Sequence, residues 1–318
     1  MQAVLLILLG LLAVTAVWLA LGAVKTRKLA AEARASVPQA GERMDVSGGA
    51  IHYLDLGPRE APVLVMIHGL GGQMHHFTYA MTGLLEDDFR LIVIDRPGCG
   101  YSLRDDEAQA ALTEQARMIW EMLDRLGVTR PVLVGHSLGG AVSLGMAVQR
   151  PAETGALALL APLTHPNTAA SPAFDGLNQP NRRMRHLLAR TWAVPMARRT
   201  AIETLTEVFR PEPWPADFLD RGGASLGLRP EAFLASVEDY MASAGIGAIA
   251  AQYDSALTMP GGVLFGSGDA LLDPQEQGAA MTAHGLEFTA LPDRGHMIPI
   301  TAPADCATFV RRIAGRLG

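Results

Sequence analysis

Five short, almost wholly apolar runs constrain this chain more than any other feature: residues 63–67, 91–94, 132–134, 157–160 and 263–265. Runs of this length have no polar face, so they read as strands buried on both sides, as parallel strands are. Between several of them lie segments of helical length, residues 113–126 and 138–149, and near the end 275–284 and 305–317. Alternation of this kind implies an α/β fold, a mostly parallel sheet covered on both faces by helices. Ahead of the first run, residues 43–47 and 50–56 flank Gly48 and Gly49, a turn signal for an antiparallel hairpin at a sheet edge. With 49% hydrophobic and 18% charged residues among 318, the chain can bury a sizeable core, which excludes wholesale disorder.

Two segments stand outside this rhythm. From residue 164 to 250 no buried strand pattern occurs, and helical stretches are broken by prolines such as Pro195, Pro211, Pro213 and Pro230. Roughly 85 residues is far too long for a connecting loop and reads as an inserted helical subdomain. At the amino terminus, Ala3 to Val24 carries no charge. As a helix it would extend ~33 Å against roughly 30 Å of hydrocarbon, long enough for a transmembrane helix. A cleaved signal peptide usually has a basic start and a shorter apolar stretch, so an uncleaved single-pass anchor is the expectation, with export and cleavage near residues 20–23 as the alternative. Lys25, Arg27 and Lys28 follow the run and place the globular part on the cytoplasmic side. The expected organisation is an anchor over 3–24, a juxtamembrane linker over 25–42, a core from 43–163 and 251–318, and the helical insertion over 164–250.

The sharpest chemical signal is Gly135-His136-Ser137-Leu138-Gly139, set directly between a strand and a helix. Glycines two before and two after the serine let the chain turn tightly, which pushes the hydroxyl out at the carboxyl end of the sheet. Ser137 is therefore the expected nucleophile, and a serine hydroxyl needs a base and a group that orients the base. Of nine histidines, His296 follows the last strand-like segment and opens at the same sheet edge, so it is the expected base. His165, His186 and His284 read as surface or packing residues, and His136 as packing. Asp269 ends the strand at 263–265 and is the expected orienting acid, with Asp273 as its rival. Backbone N–H groups must meet the negative charge that develops on the substrate. Leu138 supplies one, and Leu70, in the loop His68-Gly69-Leu70-Gly71-Gly72, the other, with Gly69 or Gly71 as alternatives.

Together, His68 to Gly72, Asp95 to Ser102, Gly135 to Gly140, Gly266 to Asp269 and Gly295-His296 resemble the α/β-hydrolase superfamily in order and spacing, over residues 43–318. The resemblance implies an α/β-hydrolase fold whose insertion is a helical cap over the site, a serine-esterase or lipase activity, and a structural role for Asp95. An apolar amino-terminal run joined to a capped hydrolase is similar, by architecture alone, to membrane-anchored monoacylglycerol-lipase-type enzymes. Dehalogenase and epoxide-hydrolase chemistry of this fold uses an aspartate nucleophile, which serine at position 137 excludes.

The implied function is cleavage of carboxylic esters, small or lipid, through an acyl-enzyme. A carbon–carbon bond hydrolase or a thioesterase with the same triad is the nearest alternative, and a hydrolase-fold ligand receptor is one of another class. A net charge of −6 argues against nucleic acid as a partner. Cys99 and Cys306 are isolated, and no metal-ligand spacing, phosphate loop or dinucleotide fingerprint occurs, so no cofactor and no metal are expected. In the insertion, Arg182, Arg183, Arg185, Arg190, Arg198 and Arg199 interleave with apolar residues and no acid intervenes. That stretch reads either as a face resting on anionic headgroups or as a solvated surface. Phe209, Trp214, Phe218, Phe233 and Met241 are expected to pack a small core of the insertion.

Overall fold

The computed structural model describes residues 1–167 and 172–317; residues 168–171, within the expected insertion, and the final Gly318 lie outside the described residues. Its sheet is built from β1 (Glu42–Val46), β2 (Gly49–Leu56), β3 (Val63–Ile67), β4 (Arg90–Ile94), β5 (Leu103–Arg104), β6 (Val132–His136), β7 (Ala156–Leu160), β8 (Gly261–Gly266) and β9 (Glu287–Leu291). The spatial order is β1-β2-β4-β3-β6-β7-β8-β9, with β5 paired to β2. β2 is antiparallel to β1 and β4, and every neighbouring pair from β4 to β9 is parallel. Val46 pairs with Gly49, so the hairpin turn is Ser47-Gly48 and Gly49 already belongs to β2. The central strands β6, β7 and β8 are buried along their whole length, which is why they carry no polar alternation.

Helices α1 (Gln2–Ser36), α2 (Leu112–Arg125), α3 (Leu138–Gln149), α4 (Arg182–Arg190), α5 (Ala193–Phe209), α6 (Pro230–Ala242) and α7 (Pro303–Ala314) are the long ones. α2 packs its apolar face, including Ile119, Trp120 and Leu123, against α3, and Trp120 Nε1 donates to the Met146 carbonyl at 3.1 Å. α7 starts at Pro303, two residues before the expected start, because proline at a first helical position lacks only an N–H that would be unbonded there anyway. The expected regular helix over 275–284 is instead a wide turn, Pro274–Gly278, followed by a tight 3-10 segment, Ala279–His284. Gln277 turns inward there, and its side-chain oxygen accepts the Thr164 N–H at 2.8 Å.

α4, α5 and α6 lie between β7 and β8, among shorter helices. Phe209, Phe218, Met297 and Ile300 form a separate apolar cluster with Trp214 at its margin. Met241, expected in such a core, is exposed, and Phe233 is half-buried outside it.

α1 runs unbroken from the apolar segment through residue 36. Its first turns are exposed, while Gly22, Thr26, Ala30 and Ala33, one face at helical spacing, are buried. That face seats on the insertion. The Trp18 and Trp192 rings stack at 4.8 Å, Trp192 Nε1 donates to the Trp18 carbonyl at 3.2 Å, and Thr26 Oγ1 donates to the Thr191 carbonyl. Arg34 pairs with Glu231 of α6.

Parallel strands end at one edge, so the loops after β3, β4, β6, β8 and β9 all open on the same side of the sheet.

Candidate active site

Ser137 joins β6 directly to α3 and adopts φ 55°, ψ −123°, a conformation that costs a non-glycine residue free energy. The turn is possible because α3 presses against the loop after β3. A Cβ on Gly139 would overlap the Ile67 carbonyl oxygen, so no other residue allows that approach. The same loop lies on the serine itself. A Cβ on Gly69 would stand 2.8 Å from Ser137 Cβ and 3.3 Å from Ser137 Oγ.

Asp269 and His296 meet across the loops after β8 and β9. Gly268 N–H donates to the Arg294 carbonyl at 2.8 Å, which clamps the two loops together. Asp269 Oδ1 accepts the N–H groups of Leu271 and Leu272 at 2.9 and 3.0 Å, and Oδ2 lies 2.7 Å from His296 Nδ1. A carboxylate at Nδ1 holds the proton there and leaves the Nε2 lone pair free to take another. Asp273, the rival acid, is engaged elsewhere. Its Oδ1 accepts Gln275 and Glu276 N–H at 2.7 and 3.0 Å, as a helix cap. Asp269 and His296 are in contact, and Ser137 Oγ makes no hydrogen bond among the described residues. Contacts of this kind commonly close only with substrate in place. The N–H groups of Leu70 and Leu138 likewise have no partner among the described residues.

Several further groups hold this arrangement, of which Glu212 alone carried no sequence signal. His136 packs under His296, with ring centroids 5.0 Å apart, and its Nε2 lies 3.1 Å from the His296 carbonyl. Since a carbonyl only accepts, Nε2 carries the proton, and His136 tethers the His296 loop as well as packing. Glu212, from the insertion, accepts Gly295 N–H at 2.9 Å and Arg294 Nη1 at 2.7 Å. Asp95 accepts Met74 N–H and Tyr101 N–H, both at 2.8 Å, and His52 Nδ1 lies at 2.7 Å, so its carboxylate is saturated by structural partners. His165 and His284 lie apart from these groups, around the Tyr253 ring. Among the described residues no three His, Cys, Asp or Glu side chains are arranged to hold a metal ion. Burial pushes the Cys99 thiol up to about 12, which leaves it protonated and unreactive.

A family model described as "Alpha/beta hydrolase family" matches residues 64–309, and the chain belongs to that family. Among curated proteins, the magnesium-chelatase 30 kDa subunit of Rhodobacter capsulatus is 38% identical over 98 residues, 31% of this chain and 34% of that protein. The first curated relatives are matched over only about a third to a half of their own length. Among solved structures, a thermophilic esterase from Thermogutta terrifontis superposes with a TM-score of 0.67 at 24% identity, covering 87% of this chain and 99% of the esterase. A bacterial membrane phospholipase A superposes at 0.60 and 22% identity, covering 98% of this chain and 99% of the phospholipase. At these identities the two structures show a shared fold.

Buried neutral histidines crowd this edge, and they set a pH dependence. Burial holds His68 and His136 well below the ordinary imidazole value, reinforced by the Arg96 charge at His68 and by His296 at His136. Burial, with His75 nearby, lowers His76 to about 4. In each case the unfolded chain takes up the proton first as pH falls, so stability is greatest above the ordinary value of 6.5 and declines below it, for His76 down to about 4. His76 alone contributes about 3 kcal/mol over that window. Urea midpoints measured from pH 7.5 to 4.5 should fall steadily, and a flat or rising midpoint would contradict neutral burial.

Proposed function

We propose that the protein is a serine hydrolase of carboxylic esters, with Ser137 as nucleophile, His296 as general base and acid, Asp269 as the group that orients it, and the Leu70 and Leu138 N–H groups as the oxyanion site. The observation that carries this reading is the 2.7 Å contact of Asp269 with His296 at the sheet edge where Ser137 sits in its strained turn. His296 Nε2 takes the Ser137 proton as Oγ attacks the ester carbonyl, and the carbonyl oxygen becomes an anion facing the two N–H groups. The tetrahedral intermediate collapses with His296 protonating the departing alcohol. Water, deprotonated by His296, then attacks the acyl-serine, and the acid leaves as the serine regains its proton.

The substrate class we assign is lipid-like esters presented at a membrane, with α1 as an uncleaved anchor and the catalytic part on the cytoplasmic side. Three observations support it. α1 is long and apolar enough to cross a bilayer, its apolar turns are exposed, and the likeness to a membrane phospholipase A extends over nearly the whole chain. Trp18 and Gly22, inside the apolar run, pack on Trp192, a contact that cleavage near residues 20–23 would remove. Stacked tryptophans suit the headgroup level. Beside them Met196 and Ile202 are 51% and 66% exposed, next to exposed Arg198 and Arg199, a mixture suited to an anionic bilayer surface.

Ser137→Ala should lower kcat for a p-nitrophenyl ester by at least about 10³-fold with an unchanged melting temperature, and wild-type turnover in that variant would refute the nucleophile. Asp269→Asn should cost about 10²- to 10⁴-fold and Asp273→Asn little, the reverse order removing Asp269 from its role. After cell fractionation the full chain should resist extraction from membranes by alkaline carbonate, while a chain beginning at residue 25 should be released. Release of the full chain would overturn the anchor.

A further inference from the structure

The loop bearing Leu70 is held from behind by a charge that belongs half to the core and half to the insertion. Arg96, the residue after Asp95, is fully buried. Its Nε donates to the His68 carbonyl at 2.8 Å and its Nη2 to the Gly69 carbonyl at 3.0 Å. Its Nη1 donates to Gln115 Oε1 at 2.8 Å and to Asp239 Oδ2 at 2.7 Å. Asp239 lies on α6, is also fully buried, and accepts Arg104 Nη1 at 2.6 Å. Burial alone would raise the Asp239 carboxyl, but Arg96 and Arg104 outweigh it and hold its pKa below the ordinary value, so it stays ionised. The Arg96 backbone N–H donates to His68 Nε2 at 2.9 Å, which leaves the His68 proton on Nδ1, and that proton points at the same Gly69 oxygen, 2.9 Å away.

These contacts decide where the Leu70 N–H points. In a trans peptide the carbonyl and the N–H lie on opposite sides. The Gly69 carbonyl takes Arg96 and His68 and, at 3.3 Å, the Gly72 N–H, so the Leu70 N–H is turned away from them, while Gly69 itself lies against Ser137. Without those two donors only the longer Gly72 N–H bond, at 3.3 Å, would restrain the peptide after this glycine, and a flip would present its carbonyl where the anion forms, which would repel rather than stabilise it. A buried ion pair is costly to assemble, and losing one partner leaves the other charge stranded.

We infer that Arg96 is a positioning residue for the oxyanion site, and that Asp239 makes the insertion a working part of that site, because α6 holds the guanidinium that holds the Gly69–Leu70 peptide. The inference rests on the esterase reading above. It predicts that the oxyanion site is formed only when α6 is seated, so the insertion governs the rate of the chemical step as well as access to it.

Arg96→Lys keeps the charge opposite Asp239, but a single ammonium cannot span a carboxylate and two carbonyls. It should lower kcat for a p-nitrophenyl ester about 10²-fold, with KM within about twofold and an unmoved pH profile. Asp239→Asn, nearly isosteric, should act in the same direction at about tenfold. Inhibition by a trifluoromethyl ketone, whose serine adduct carries the oxyanion, should weaken in proportion to the fall in kcat/KM for both variants. A purely structural role would not produce that proportionality. If Arg96→Lys does not fold, judged by its circular-dichroism melt, Asp239→Asn decides the matter. Folded variants with wild-type kcat and ketone affinity would overturn the inference. Wild-type protein that neither hydrolyses the ester nor binds the ketone would instead overturn the esterase reading.

Discussion

Everything at the candidate site depends on one close approach, helix α3 pressed against the loop after β3 with room only for a glycine hydrogen between them. That contact forces β6 to pass into α3 through a strained residue, and the strained residue is Ser137. It also lays Gly69 against the serine. The strain is held by a sheet buried on both faces, whose central strands leave no slack for the turn to relax.

The sheet was readable because strands buried on both faces must be apolar throughout, and that pattern is local. β5, two residues long, offers no such pattern, and the irregular helix after Asp273 departs from its apparent periodicity because Gln277 turns inward. The pairing of Asp269 with His296 was legible from position, since both residues follow strands that end at the same edge. Asp273 differs from Asp269 by one turn of chain, and only the folded geometry assigns it to capping. Arg96, Asp239 and Glu212 were invisible because each acts on a partner brought near by the fold alone. Asp239 is 143 residues from Arg96, and Glu212 is 83 from Gly295.

Those long-range contacts give the insertion two grips on the core, Asp239 behind the Leu70 loop and Glu212 on the His296 loop. α1 grips the insertion in turn, through a face of small residues that admits Trp192 and Thr191. A chain of packed elements therefore runs from the apolar amino terminus to the candidate site. If α1 is the proposed anchor, that chain of packing joins the membrane to the proposed oxyanion and base loops.

The central claim is that Ser137 is an activated nucleophile. Incubation of the full chain with a fluorophosphonate, followed by peptide mass spectrometry, tests it most directly. The expected result is a single phosphonylated residue, Ser137, with labelling abolished in His296→Ala. Modification at another residue, or none in protein that is demonstrably folded, would contradict it.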